Sequence, residues 1–332
     1  MENKKLVKED INFVEYPIWL VGRKNRDKVW TMEKINGTYE MIGLYGLPNF
    51  FDKKVLYSLL FRLIKKSGTN AYTLTTSRYE IAKDVYPGVK DFGKNKYNRI
   101  SEALQTWFGL SIKFKGIFYE DNDYGTRSFH IINQLDTREK SSKIIIEFGK
   151  SYIDQQNNTS FFRLIDFEQY RKLNKDSSAR LYEILIKSFK GRNKWSIGLQ
   201  NLAEKMTFEK REDAQNYYPS DILRHLKTAV NEINKKTELS FNFIYNHETS
   251  VCIFKEVPKQ KESYVAATRD VKQDKQQDKE NDNQKKEYMK KFKALSDDEQ
   301  KTILKGIAND QFLKFIPDQE LQIYAYMSHH KN

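Results

Sequence analysis

Residues 72–88 have the sequence YTLTTSRYEIAKDVYPG, and their pattern is the strongest indication of the fold. The first of these residues predict a short strand, Thr76 or Ser77 can cap the helix that follows, and the pair Pro87-Gly88 ends that helix. The next segment, residues 94–107, repeats apolar side chains at helical spacing and predicts a second helix close behind the first. A short strand followed by two closely spaced helices is therefore the centre from which the rest of the fold is worked out.

A hairpin and a long helix precede this centre. Residues 29–44 form two half-apolar runs around Asn36-Gly37, a pair that favours the type I′ turn because both residues tolerate a positive φ. The long helix is predicted to begin at Asp52, which can cap it, and to run past Ile64 until Gly68 closes it.

Strands follow the centre. Two alternating runs, Leu110–Tyr119 and Thr126–Leu135, predict a hairpin with a polar turn at 120–125, and Lys143–Phe148 can join it as a third strand. The order is helix, short strand, helix, helix, hairpin. This is the winged-helix arrangement, a helix-turn-helix with a β-hairpin appended.

The same order recurs in the second half of the chain. Its predicted elements are a helix capped by Ser177 or Ser178, a short strand at Lys194–Ile197, a helix at Leu199–Met206, a long helix opened by Pro219, and a hairpin over Leu239–Tyr245 and Ser250–Val257. The sequence therefore predicts an α+β protein with two tandem winged-helix domains.

Composition changes after the second predicted hairpin. Lys, Gln, Asp and Glu dominate residues 258–283 and leave almost nothing to bury, which predicts a disordered linker. Short helical patterns follow it. We expect an N-terminal winged-helix domain at 1–156 that includes the preceding hairpin, a second winged-helix domain at 157–257, the linker, and a small helical tail at 284–332.

Charge and cysteine content limit the partners and the compartment. The chain carries 58 Lys and Arg against 45 Asp and Glu, a formal net charge of +13. A positive net charge attracts polyanions such as nucleic acids and speeds encounter with them. A lysine-rich proteome would, however, give the same excess of basic residues. No run approaches the roughly 18 apolar residues of a membrane span, and the single Cys252 cannot form an internal disulfide. We expect the protein to work in a reducing cytoplasm, away from membranes.

Catalytic motifs are not apparent in the sequence. It has no phosphate-cradling Gly-x-x-x-x-Gly-Lys-Ser/Thr loop, and its five histidines form no convincing metal pair. A DNA-nicking initiator of the rolling-circle kind needs two metal-binding histidines separated by one residue, and that pair does not occur. We therefore predict no catalytic residue, no cofactor and no metal site.

Candidate DNA-binding residues lie at the start of the second helix of each helix-turn-helix, because that helix enters the major groove with its N-terminal residues at the base edges. In the first domain the candidates can pair with adenine, guanine or phosphate: Lys94, Asn95, Lys96, Asn98 and Arg99. Lys113 and Lys115 on the first predicted wing strand, and Arg127 on the second, extend this surface. A merely solvated helix start is the alternative.

The second domain offers a matching surface. If Leu223, Leu226 and Val230 face the core, the exposed residues of the long helix are Ser220, Asp221, Arg224, Lys227, Thr228 and Asn231. A basic strip around the preceding helix and strand could clamp the DNA backbone, and consists of Arg180, Lys187, Lys190, Arg192 and Lys194. A charge run is, however, usually a solvated face.

Short motifs resemble a known family. The segment NFVEYPIWL at 12–20, followed by the hairpin and by LPNFFD at 47–52, resembles the opening of plasmid replication initiators of the replication initiator protein A family. Residues 161–186 are similar to the start of the initiators' second domain, where a Leu-Tyr-Glu-Ile-Leu type helix begins the winged helix. The likeness covers roughly residues 11–256.

The resemblance implies a function. It implies binding of double-stranded DNA at repeated sites in a plasmid origin, local melting, recruitment of host replication proteins such as the replicative helicase, and a possible monomer–dimer equilibrium. No catalytic residue carries over. The alternative reading is a winged-helix transcriptional regulator, which also needs base readout. A nicking or primer-making enzyme ranks third, and a protein–protein adaptor fourth.

Overall fold

The computed structural model describes residues 5–22, 28–68, 71–120, 123–137, 142–189, 191–209, 217–258, 289–309 and 323. The chain divides into two compact units, Met1–Lys259 and Gln260–Asn332. Apart from Pro258, the predicted linker at 258–283 lies outside the described residues, as does much of the predicted tail.

The helices and strands of the first unit follow one another closely. Up to residue 148 they are β1 (Leu6–Asp10), α1 (Ile11–Glu15), β2 (Val29–Lys34), β3 (Gly37–Gly43), α2 (Phe50–Ser67), β4 (Thr73–Ser77), α3 (Arg78–Val85), α4 (Lys94–Phe108), β5 (Leu110–Glu120), β6 (Asp123–His130), β7 (Ile132–Thr137) and β8 (Lys143–Phe148). They continue with α5 (Lys150–Asn158), β9 (Phe162–Asp166), α6 (Phe167–Tyr170), α7 (Asp176–Ser188), β10 (Lys194–Gly198), α8 (Leu199–Lys205), α9 (Pro219–Lys236), β11 (Phe241–Asn246) and β12 (Val251–Glu256).

The first winged helix consists of α2, α3, α4 and an antiparallel sheet in the order β4-β8-β7. The apolar face of α4 is buried at Ile100, Leu104 and Trp107. The indole Nε1 of Trp107 donates a hydrogen bond to the carbonyl oxygen of Asp52 in α2, at 2.7 Å. This bond and the apolar contacts fix the direction of α4 relative to α2.

The wing of this domain is the hairpin of β7 and β8, which corrects the sequence prediction. The alternating run 126–135 is not one strand: it passes from β6 in one sheet to β7 in another. Two consecutive buried residues, Ile131 and Ile132, interrupt the alternation at the crossing point. β8 therefore pairs with β4 and β7 and does not join the hairpin of β5 and β6. That hairpin also turns more tightly than expected, since Glu120 pairs with Asp123.

A second antiparallel sheet, in the order β2-β3-β5-β6, packs beside the first winged helix. The predicted hairpin at 29–44 is confirmed as β2 and β3. The inner face of the sheet carries a cluster of aromatic rings, with Phe114 lying 4.8 Å from Tyr39 and 5.0 Å from Phe118 between ring centroids. The sheet and the winged helix thereby share one aromatic-rich core.

The second winged helix repeats the arrangement of the first. Its helices are α7, α8 and α9, and its sheet has the order β10-β12-β11, so that the strand between the helices again pairs with the last strand. The apolar face of α9 is buried at Leu226, Val230 and Ile233. The prediction of an α+β fold with tandem winged helices is confirmed.

The two winged helices are joined by more than the chain between them. β1 pairs with β9, and buried residues of both domains belong to one continuous hydrophobic cluster. A salt bridge of 2.9 Å links Lys53 of α2 to Glu9 of β1, with both side chains 1% exposed. The indole nitrogen of Trp19 donates to the Glu183 carboxylate of α7 at 3.1 Å. These contacts make residues 5–258, where described, one body.

Two predicted helix caps were wrong. The N-cap of α2 is Asn49, whose side chain accepts from the amides of Phe51 and Asp52, while the Asp52 carboxylate accepts from the Asn49 amide. Asp52 is thus the third residue of a capping box. The N-cap of α7 is Lys175, and Ser177 lies buried inside the first turn.

The second unit is described over residues 289–309 and at Ile323. It contains α10 (Asp297–Asn309), which begins after Ser296. The Ser296 amide donates to the Glu299 carboxylate at 2.9 Å, and Glu299 in turn donates its amide to the Ser296 hydroxyl at 3.4 Å. These two bonds form a capping box.

Candidate nucleic-acid interface

The start of α4 presents its polar side chains outward. Lys94, Asn95, Asn98 and Arg99 are exposed, whereas Lys96 is half-buried. The first turn contains no acidic residue, so the positive end of the helix dipole and the basic side chains act together on an approaching anion.

An aromatic floor supports this helix start. Phe51 and Tyr86 lie 5.5 Å apart between ring centroids, and Tyr86 continues to Phe92 at 6.3 Å. The Arg99 guanidinium stacks over the Phe51 ring at 4.9 Å, and the Lys96 ammonium lies 5.8 Å from the Tyr86 ring. Cation–π contacts of this kind hold a side chain in position while leaving its charge available.

The long helix α9 presents the matching surface of the second domain. Ser220, Arg224, Lys227 and Asn231 are exposed. The Arg224 side chain is 73% exposed and lies 3.8 Å from the Asp221 carboxylate one turn earlier. The first turn departs from the prediction in one respect: Ile222 is buried, and Leu223 is only half-buried. Asp221 and Thr228, both expected to be exposed, are half-buried as well.

Both helices open onto one groove. Its volume is about 1010 Å³, and its lining includes Arg99 of α4 together with Arg224, His225 and Thr228 of α9. This volume is comparable to that of the largest clefts that enclose small ligands, which span ~300–1,000 Å³. The basic residues of the lining, and not its size, are what favour an anionic partner.

The segment between the domains adds basic residues that the sequence prediction missed. Residues 171–175, which we call the connector, join α6 to α7 and line the groove with Arg171, Lys172 and Lys175. Lys172 and Lys175 are exposed. The sequence does show three basic residues within five positions, directly before a predicted helix. They could be recognised as part of a DNA-binding surface only once the structure showed that α4 and α9 line the same groove.

Lys113 and Arg127 do not lie on a wing. Both belong to the four-stranded sheet, where Lys113 of β5 lies between Glu40 of β3 and Ser128 of β6. Arg127 forms an ion pair with Glu120. Neither side chain lines the groove shared by α4 and α9.

Arg180 is not a DNA-backbone contact, because its side chain is 0% exposed. Its guanidinium donates to the Glu183 carboxylate at 3.0 Å and to two carbonyl oxygens at 2.8 Å, those of Lys205 and Val14. Arg180 therefore connects α7 to the N-terminal segment through buried hydrogen bonds.

The other residues of the predicted basic strip do not form one surface. Lys187 forms an ion pair with Glu15. Arg192 and Lys194 are exposed at the start of β10, outside the groove, and Lys190 lies outside the described residues.

Over the described part of the chain, no group of three or more His, Cys, Asp and Glu side chains is placed to hold a metal ion. The Cys252 thiol is buried, and burial raises its pKa to about 12. Within the same residues, no helix combines the length and the apolar character needed to cross a membrane.

Three solved structures align with this chain, and the first of them shares its fold. A crystal structure of domains 2 and 3 of RctB aligns with a TM-score of 0.53 and 14% identity, covering 75% of this chain and 98% of that one. A second structure of the same RctB domains aligns with a TM-score of 0.48 and 10% identity, over 74% and 96% of the two chains. The Pi initiator protein in complex with iteron DNA aligns with a TM-score of 0.46 and 15% identity, over 71% of this chain and 100% of that one.

The sequence itself matches a family. No curated protein is similar enough in sequence to count as a match. The profile of the family described as Initiator Replication protein, WH1, matches residues 44–186, which span the first winged helix and reach into α7. The match covers fewer than half of the residues of the chain, and it agrees with the resemblance to plasmid replication initiators.

Proposed function

We propose that this protein initiates plasmid replication by binding repeated sites in an origin, with α4 and α9 each reading one major groove. The observation that carries the proposal is the shared groove, which is lined by Arg99 of α4, by Arg224 of α9 and by the basic residues of the connector. A formal net charge of +13 supports a polyanionic partner.

Two reading helices in one body set a requirement on the spacing of the DNA grooves that they bind. Successive major grooves on one face of B-DNA recur about every 34 Å, one helical turn. Two helices fixed in one unit would engage both grooves at once and could bend or underwind the DNA between them. Adjacent A·T-rich sequence, which has easily unstacked steps, would then open at the lowest cost in free energy.

A footprint on DNA flanking the protein's own gene, against excess random competitor, tests this proposal. We expect protection over direct repeats, with Arg224→Ala weakening it and Lys65→Ala, an exposed change at the far end of α2, leaving it unchanged. A single protected inverted repeat would favour a transcriptional regulator instead. If the protein shows no sequence preference at moderate salt, the proposal that α4 and α9 read DNA sequence is wrong.

The protein is proposed to act by binding, in the cytoplasm, without a catalytic site. Incubation with supercoiled origin plasmid and Mg²⁺ or Mn²⁺ should leave the DNA intact, and a metal-dependent nick would overturn this part. The same purified protein, run in analytical ultracentrifugation over a range of concentrations, tests the monomer–dimer equilibrium.

The second unit is proposed to contact a host replication protein such as the replicative helicase. Removing residues 260–332 should then abolish plasmid replication in cells while leaving the footprint unchanged. Normal replication without these residues would eliminate this role.

A further inference from the structure

The connector is held from both sides. The Lys54 ammonium of α2 donates to the carbonyl oxygens of Arg171 and Leu173, at 3.2 and 2.7 Å. From the other side, the Glu232 carboxylate of α9 accepts from the backbone amides of Asn174 and Lys175, at 2.9 and 3.2 Å. Four backbone groups of a five-residue segment are thus bound by side chains of the two domains.

Further contacts keep this arrangement rigid. Leu173, in the middle of the connector, is fully buried. The Arg171 guanidinium donates to the carbonyl oxygen of Asp84 in α3 at 2.8 Å. Glu232 also receives a hydrogen bond from Lys236 at 2.6 Å. Lys54 is 9% exposed and lies over the Phe50 ring at 4.2 Å.

The contacts form an unbroken path between the two proposed reading helices. α4 is tied to α2 by the hydrogen bond from Trp107 to Asp52, and α2 is tied to the connector by Lys54 two residues further on. The connector is tied to α9 by Glu232, two turns after Arg224 in the same helix. Every link is a packed or hydrogen-bonded contact, so the path is a candidate route by which the position of one helix constrains that of the other.

We propose that the connector is a clamped spacer, a segment that fixes the separation of α4 and α9 and thereby the distance between DNA half-sites that the protein can bind. Lys54 and Glu232 are its positioning residues, because their side chains hold the backbone of the connector. This rests on the proposed function. Each extra base pair between two half-sites rotates the second by about 34° and moves it about 3.4 Å, because B-DNA has 10–10.5 base pairs per turn. A rigid pair of readers rejects such a change, and a hinged pair tolerates it.

The test measures affinity for duplexes carrying the footprinted site with one or two base pairs inserted or removed between its halves. We expect the wild-type protein to lose about tenfold or more in affinity for a two-base-pair change, comparable to one mismatched contact. Lys54→Met removes the ammonium but keeps the apolar stem, and Glu232→Gln removes the charge from the other side. Both should reduce this discrimination to about threefold or less. Lys65→Met, which removes a charge from the exposed end of α2, should keep it.

The ratio between spacings separates positioning from simple stability. A variant that is only less stable loses affinity for all spacings alike, so an unchanged ratio in both folded variants would overturn the proposal. Failure to find any specific site would instead overturn the proposed function. The clamp can then still be judged from the distance between spin labels at Glu102→Cys in α4 and Lys235→Cys in α9, in a Cys252→Ala background. A narrow wild-type distribution that broadens in the variants supports the clamp, and a broad wild-type distribution contradicts it even if neither variant folds.

Discussion

Arg180 and Arg224 carry the same guanidinium in opposite surroundings. Arg180 has its donors on a carboxylate and two carbonyl oxygens in the interior, whereas Arg224 projects into the groove from an exposed helix face. Sequence placed both on a DNA surface, because a basic residue near a helix start looks the same in either setting. The distinguishing feature of Arg180 is its partner three residues on, Glu183, which also accepts from Trp19 and Tyr170.

The buried position of Arg180 leads to a stability prediction. Arg180→Met should lower the free energy of unfolding by about 3–5 kcal/mol, because it leaves the Glu183 carboxylate charged and poorly compensated in the interior. Urea denaturation measures the change. Arg192→Met, an exposed arginine of the same predicted strip, should cost less than about 0.5 kcal/mol. If Arg180→Met kept its stability but bound DNA weakly, the interior role would be wrong.

Base-facing and phosphate-facing residues should respond differently to sequence and salt. Asn98→Ala at the exposed start of α4 should cost about 1–3 kcal/mol at one base pair and relax specificity there. Lys172→Ala in the connector should weaken binding to all sequences and reduce the slope of log K against log salt by about 1. Equal effects on specific and random DNA for both variants would contradict this division. Fluorescence anisotropy at several salt concentrations provides the measurement.

At the level of elements, sequence predicted what short-range patterns determine. The order of helices and strands, the hairpin at β2 and β3, and the buried stripe of α9 follow from periodicity and turn residues. The wing was assigned to the wrong hairpin, since strand pairing is a long-range property. Residues 126–135 alternate over their first half as one strand would, and only the adjacent buried pair Ile131-Ile132 marks the passage between sheets.

The start of α2 shows the same limit at shorter range. Asp52 and Asn49 are both good capping residues, and choosing between them requires the backbone conformation. Asn49→Ala should lower the free energy of unfolding by about 1 kcal/mol, because two amides of the first turn lose their acceptor. Asp52→Asn, which keeps an acceptor for the Asn49 amide, should cost less than that. Thermal unfolding of the two variants ranks them, and the reverse order would restore Asp52 as the principal cap.

At the scale of the whole unit, the core is unusually rich in buried phenols. Tyr39, Tyr57, Tyr152 and Tyr170 are fully buried, and burial raises their pKa values well above the usual 10.

The groove and the connector could not be predicted from the sequence, because they exist only where the two domains meet. The aromatic character of the core, in contrast, is what the 41 Tyr and Phe residues of the sequence predict.

The buried tyrosines predict an alkaline limit to stability. In the unfolded chain these phenols ionise near pH 10, so above that pH the unfolded state releases protons that the folded state keeps, and stability falls as pH rises. Tyrosinate absorbance should increase in two stages, first for exposed rings and then abruptly with the loss of helical circular dichroism. A smooth titration of all 20 tyrosines with helicity intact would contradict this prediction.

The pairing of β1 with β9 has a consequence for the order in which the protein is made. Leu6–Asp10 is synthesised before its partner Phe162–Asp166, which follows about 150 residues later, or roughly 8–30 s at the usual rate of translation. Until β9 is made, the strand and the Glu9 carboxylate have no native partner in β9, although α2 and Lys53 are synthesised well before it. The pair of β1 and β9 therefore forms while most of the second winged helix, which follows β9 in the chain, has still to be synthesised.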